Sequence, residues 1–333
     1  MNKMLKNLIV FTLVLFSSSL ILNQTASAQH RVPNRGKRAQ MKPSDFVLKP
    51  VYAQFLDSYH FLRGDSDGLQ VINIKSGEVV EELSKGKAIS TMLSGPVGIG
   101  VYSGTYEGEV YVTTFTDGKV KHEKIKGLEK TPIFILKTIL INANDPTRVV
   151  FADPYRAVIC KMNGTNARVL KTVKVSDQNS LINFAVQDHR KEEFFLLAAT
   201  NGGKYRVNWT TGDIVEIRDE SMPHGYSLQK YGSKFIPIGK NAEFLLTNYL
   251  ETIPVFMKRL PDQPMSYLLA GIGKGPMRVT VEKNNFYNLQ ILTSNTMTYS
   301  IDIDPANSKN MLISTTDAVR YKPASSRKWK TIK

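Results

Sequence analysis

The chain has 333 residues, a formal net charge of +15, 42% hydrophobic residues and a single cysteine. That length can bury a large core, while a lone Cys160 excludes any intramolecular disulfide, so stability must come from packing and strand pairing. The basic balance suggests a polyanion partner, but most of the excess lies at the two ends, which argues against a basic groove for nucleic acid.

Residues 1–28 have the three regions of a cleavable secretory signal. Lys3 and Lys6 precede an apolar run from Leu8 to Phe16, broken only by Thr12, and Ala26-Ser27-Ala28 supplies the small residues of a cleavage site after Ala28. The apolar stretch is shorter than the roughly 20 residues a membrane span needs, and no later segment reaches that length. Residues 29–45 form a basic, extended leader broken by Pro33 and Pro43. Within it, Arg35-Gly36-Lys37-Arg38 matches the pattern cut by furin-like convertases, giving a second candidate cleavage after Arg38.

From 46 to 333 the chain reads as short β-type runs separated by Gly, Asn, Asp and Ser, with no sustained helical period. A recurring unit is a strand, a glycine turn and a second strand. It occurs at Leu69–Leu83 around Gly77, at Glu109 onward around Asp117-Gly118, at Ala157 onward around Asn163-Gly164, and at Lys204 onward around Gly212. Asn-Gly and Asp-Gly turns are strong hairpin signals because type I′ turns need φ > 0 at both central residues. The turn glycines recur at 41, 46 and 48 residues, the period of a β-propeller blade. Two looser units follow, Pro254–Arg259 turning at Asp262 and Ala318–Lys322 turning near Ser325-Ser326. The expectation is an all-β propeller of six blades, with five or seven also compatible and a two-domain β-sandwich as the structural alternative. A strand around Val47 is expected to pair with the last blade and close the ring.

The C-terminal segment has the most specific pattern. Asp304-Pro305-Ala306-Asn307 precedes a strand over Asn310–Ser314, a short turn, the strand Ala318–Tyr321 and Ser325-Ser326-Arg327-Lys328-Trp329. Asp145-Pro146-Thr147-Arg148, followed by Val149–Asp153 and Asn163-Gly164, is a weaker echo. These runs resemble the Asp-box repeats of sialidase- and sortilin-like propellers, although the box aspartate and glycine are replaced here by Ser326, Arg327 and Lys328. The resemblance implies a scaffold, not an activity; the arginine triad, Tyr/Glu pair and acid–base Asp of sialidases cannot be assigned to positions in this chain.

No catalytic residues are assigned. Gly271–Pro276 looks like a phosphate loop, but Pro276 and the β-like Met277–Val281 replace the helix such a loop needs, so an inter-blade turn is expected. Asp65 and Asp67 offer two carboxylates in a Gly-flanked turn, a minimal calcium site without the remaining ligands of an EF loop. His60, His122, His189 and His224 lack zinc-ligand spacing. His224 and Tyr226, on a Pro/Gly loop, are candidate ligand-binding residues at a central opening. Arg320, Lys322, Arg327 and Lys328 are candidates for anionic contacts, and Asn163 and Asn208 head N-glycosylation sequons. The sequence thus reads as a secreted propeller that binds an extracellular protein, an acidic polysaccharide or an anionic surface, with no cofactor required. The alternative is a glycan-directed hydrolase or lyase on the same scaffold.

Overall fold

The computed structural model describes residues 50–332 apart from short internal segments, the longest being 176–180, 218–226, 239–251 and 282–286. Among the described residues every regular element is a β-strand, and the strands fall into six antiparallel sheets. Blade 1 is β1 (Tyr52–Phe55), β2 (His60–Gly64), β3 (Leu69–Asn73) and β4 (Val79–Leu83). Blade 2 is β5 (Ile89–Ser94), β6 (Val101–Thr105), β7 (Val110–Thr116) and β8 (Lys119–Lys124). Blade 3 is β9 (Thr138–Ile141), β10 (Arg148–Ala152), β11 (Arg156–Asn163) and β12 (Asn166–Lys174). Blade 4 is β13 (Ile182–Gln187), β14 (Phe194–Ala199), β15 (Lys204–Asn208) and β16 (Ile214–Glu216).

A hairpin of β17 (Ser227–Tyr231) and β18 (Lys234–Ile238) then precedes blade 5, which is β19 (Thr252–Leu260), β20 (Gln263–Gly273), β21 (Met277–Val281) and β22 (Tyr287–Ile291). Blade 6 is β23 (Ser300–Asp304), β24 (Asn307–Ser314), β25 (Val319–Lys322) and β26 (Lys330–Ile332). The first strand of each blade packs against the first strands of its neighbours in the cycle β1, β5, β9, β13, β19, β23 and back to β1. The fold is a six-bladed β-propeller. Up-and-down pairing puts the start of every first strand on one face, here called upper, and the third-to-fourth-strand hairpins on the opposite, lower face.

The core lies between blades, because each twisted sheet buries both faces against its neighbours. Phe61, Ile72 and Leu312 join blades 6 and 1, Leu62, Met92 and Val101 join blades 1 and 2, and Val150, Ile159 and Phe195 join blades 3 and 4. Cys160 is fully buried within this packing, and burial pushes its thiol up to about 12, which makes it an inert core residue.

The periodic glycines all occupy the lower face, between third and fourth strands. Asp117 and Gly118 both have positive φ, 52° and 73°, as a type I′ turn requires. At the third copy the pairing of Asn163 with Asn166 puts Gly164 and Thr165 at the tip, so only Gly164 needs positive φ. Blades 1 and 4 share a different turn. Asn73 Oδ1 accepts the N–H groups of Lys75 and Ser76, and Asn208 Oδ1 accepts those of Thr210 and Thr211. In both, the glycine four residues later, Gly77 or Gly212, donates its N–H back to the asparagine carbonyl at 2.8 and 3.0 Å.

One expectation needs correction, and blade 5 explains why the units after Gly212 are irregular. The Pro254–Arg259 unit belongs to the first-to-second-strand hairpin of blade 5, with Leu260 opposite Gln263, and not to a third-to-fourth hairpin. Gly275-Pro276 connects β20 to β21 inside blade 5 and is not an inter-blade turn. The irregular spacing after Gly212 arises because β18 pairs with β22, adding two strands to the outside of blade 5. Val47 lies outside the described residues; all four described strands of blade 6 come from 300–332.

Candidate functional site

The ring is held at its centre by charge. Asp302, fully buried on β23, receives Lys258 Nζ from β19 at 2.7 Å on one oxygen. Its other oxygen accepts the Phe55 backbone N–H of β1 at 2.9 Å and Ser94 Oγ–H of β5 at 2.8 Å. Lys258 also donates to Ser94 Oγ, and Ser94 N–H donates to Gln54 Oε1 at 2.9 Å. Four blades therefore converge on one carboxylate, leaving only Gln54 Nε2 in this network without a partner. Ser94 shares its proton with a buried carboxylate and its lone pair with an ammonium, so it is a structural hydroxyl and not a poised nucleophile. The six inner strands carry two carboxylates, Asp302 and Asp304. Asp304 is likewise engaged, by Ser58 Oγ, Ala306 N–H and Asn310 Nδ2.

A second polar cluster joins blades 1 and 2 away from the axis. His122 Nε2 lies 2.8 Å from Ser84 Oγ and its Nδ1 lies 2.9 Å from Thr113 Oγ1. Desolvation, assisted by Lys87, lowers the imidazole's pKa, and Ser84 sits at φ 46°. The pair resembles a serine–base dyad, but a hydroxyl stands where a triad has its carboxylate, and Lys87 opposes a developing imidazolium. The nearby Glu109 is occupied. Its burial is outweighed by hydrogen bonds from Lys124, Lys87 and Tyr111, which hold the carboxyl at about 2.

Of the residues singled out from sequence, four lie together. Arg320 and Lys322 are two apart on β25, so they share a strand face, and Arg327 and Lys328 are exposed in the turn that follows. That turn is braced by Trp329, whose Nε1 donates to the Leu292 carbonyl at 3.3 Å. Sequence reasoning missed the other members of this cluster. Lys330 belongs to β26, and its Nζ reaches the Lys75 carbonyl at 3.3 Å, bringing the lower hairpin of blade 1 alongside. Lys309, near the first hairpin of blade 6, is exposed on the same side. The clue was available: 318–333 contains no acid.

The remaining candidates are dispersed. Asp65 and Asp67 lie in the β2–β3 turn, where Asp65 already binds Arg63 at 3.1 Å and accepts the Asp67 N–H at 2.8 Å. Among the described residues no group of three acidic, histidine or cysteine side chains is arranged to hold a metal. Asn163 and Asn208 flank lower-face hairpins, Asn163 exposed and Asn208 half-buried. His224, Tyr226, Ala28 and Arg38 lie outside the described residues. No helix among the described residues is long and apolar enough to cross a membrane. No protein-family model matches the sequence, and the search of curated proteins returns no significant match.

Proposed function

We propose that this chain is an exported binding propeller that attaches to an acidic polymer or anionic surface through the lower face of blade 6. The observation that carries this reading is the grouping of Lys309, Lys322, Arg327, Lys328 and Lys330 beside Lys75, none in an ion pair with a described carboxylate. Exposed cations without counter-charges keep their full attraction for a polyanion, subject to screening over about 8 Å at physiological ionic strength. Export rests on the signal-like 1–28 segment. We read blades 3 and 6, with Asp-Pro turns at equivalent positions, as degenerate Asp-box-like repeats.

The test is salt-dependent retention on an immobilised acidic polysaccharide such as heparin, with protein recovered from a secretory host. The fourfold charge reversal Lys322→Glu, Arg327→Glu, Lys328→Glu and Lys330→Glu should move elution to much lower salt without altering thermal unfolding. Unchanged elution sinks the reading. Mature protein that still begins at Met1 sinks the export part.

A further inference from the structure

Diametrically across the ring from blade 6, the upper face of blade 3 presents two exposed aromatic side chains on a common mount. Phe134 is 40% exposed and Tyr155 is 51% exposed. Both hang from Asp153, a carboxylate only 1% exposed. Its Oδ1 accepts the Tyr155 and Arg156 N–H groups at 2.8 and 2.9 Å, and its Oδ2 accepts Arg156 Nε at 3.0 Å and Phe134 N–H at 3.5 Å. One buried carboxylate thus fixes the backbones that carry both rings. Elsewhere among the described residues the large exposed apolar side chains are scattered over other blades, with Tyr59 on the lower face and Val215 on an outer strand.

Lys137 belongs to the same neighbourhood. It is three residues beyond Phe134, and its N–H donates to the Ala152 carbonyl at 2.8 Å, directly before Asp153. Its side chain is exposed, yet desolvation by surrounding protein lowers its ammonium's pKa. The residue stands exposed directly before an inner strand, and no described carboxylate forms an ion pair with it. Adjacent Leu136 donates to the Thr105 carbonyl at 3.5 Å, which places Tyr106 of blade 2 on the other side.

Exposed aromatic side chains on a fixed backbone, beside a cation with no described counter-charge, suit a ligand with flat apolar C–H faces, hydroxyl edges and a negative group. A two-ring shelf is too small to anchor a protein interface, which needs about 800 Å² per partner. We infer that Phe134, Tyr155 and Lys137 form a subsite for a uronic-acid residue of a glycan, the rings stacking on the sugar and Lys137 meeting its carboxylate. This shelf lies on the opposite face from the blade 6 cations and does not depend on them.

The experiment is calorimetric or NMR titration of the whole secreted protein with a hexa-uronate, with free glucuronate and with a neutral hexasaccharide. Saturable binding of the hexa-uronate is expected, at least tenfold tighter than the neutral chain. Phe134→Ala with Tyr155→Ala should weaken it at least tenfold, and Lys137→Met should abolish the preference for acid over neutral sugar. All three positions are exposed, so thermal unfolding should be unchanged. The variants are compared in the blade 6 charge-reversal background, where the other anionic site is removed and the binding that depends on Phe134, Tyr155 and Lys137 should remain. Glucuronate binding that tracks the same variants extends the assignment to free sugar. Absence of saturable binding, equal affinity for the neutral chain, or binding unmoved by the aromatic and lysine variants overturns the inference. So does a titration lost only with the blade 6 variant, or a shelf that retains a protein but no glycan.

Discussion

Replacing Lys258 by methionine keeps most of the side-chain volume and removes the only cation bound to Asp302 among the described residues; the Asp302 side chain has no solvent exposure. Breaking a buried ion pair by deleting one partner costs about 3–5 kcal/mol, because the other charge is left uncompensated. Here the stranded carboxylate keeps hydrogen bonds from Phe55 N–H and Ser94 Oγ–H, so the lower end, about 3 kcal/mol, is expected. Against a total stability of about 5–15 kcal/mol, that is a large fraction. For a domain of this size it corresponds to a melting-point loss of about 6–12 °C. Urea unfolding followed by tryptophan fluorescence reads it directly, since Trp209 is 2% exposed in the folded state. Adding Asp302→Asn removes the charge while retaining an acceptor for Phe55, so the double variant should recover most of the loss. A single variant costing under about 1 kcal/mol, or a double variant no better than the single, would refute the claim that charge pairing clasps the ring.

Two further outcomes test other parts of the structure. Gly108 has φ 78°, and a Cβ there would lie 1.7 Å from the Ile133 carbonyl oxygen, so Gly108→Ala should cost about 2 kcal/mol or more. It should also speed hydrogen exchange in the 133–137 connector, and a change under about 0.5 kcal/mol would contradict that contact. For His122 the folded pKa is depressed, by desolvation first and then by Lys87. Above about pH 6.5 the ring is neutral in both states. Below that the unfolded chain takes up the proton first, so stability falls as pH drops towards the folded value. His122→Gln should flatten the urea midpoint between pH 7.5 and 5.5, and an unaltered pH slope would show the assignment to be mistaken.

Four of the six blades were legible because their third strand turns sharply into the fourth at a glycine with positive φ, at Gly77, Gly118, Gly164 and Gly212. Blade 5 was harder to read. Its hairpin β17–β18 interrupts the period, and Pro254 sits at a bulge between Pro254 and Phe256, so the alternation of β19 does not announce which strand of a blade it is. The Asn73 and Asn208 turns carried a second signal, an asparagine four residues before glycine, that spacing of glycine alone does not detect. The basic cluster was half legible, since charges within 318–333 are adjacent in sequence, whereas Lys309 joins them through strand pairing within blade 6 and Lys75 through the neighbouring blade. Phe134, Lys137 and Tyr155 were not legible, because their shared mount, Asp153, links a connector to a turn 19 residues away. The Lys258–Asp302 pair likewise spans separate blades, and no local pattern signals it.

The seam between the first and last blades also governs how the molecule bears load. Many closed rings rely on a strand from one end of the chain completing the blade at the other, whereas among the described residues the six sheets are each drawn from one continuous stretch of chain. At the seam, Ser300 Oγ accepts the Ala53 N–H at 2.9 Å and Asp302 accepts that of Phe55 at 2.9 Å. Ser300 Oγ also donates to the Ala53 carbonyl at 3.2 Å, and Ser58 Oγ donates to Asp304 at 3.0 Å; these are side-chain crossings and not a backbone ladder. Among the described residues the load between blades 1 and 6 is therefore carried by side-chain hydrogen bonds and by the apolar cluster of Phe55, Phe61, Ile72 and Leu312, and not by main-chain pairing.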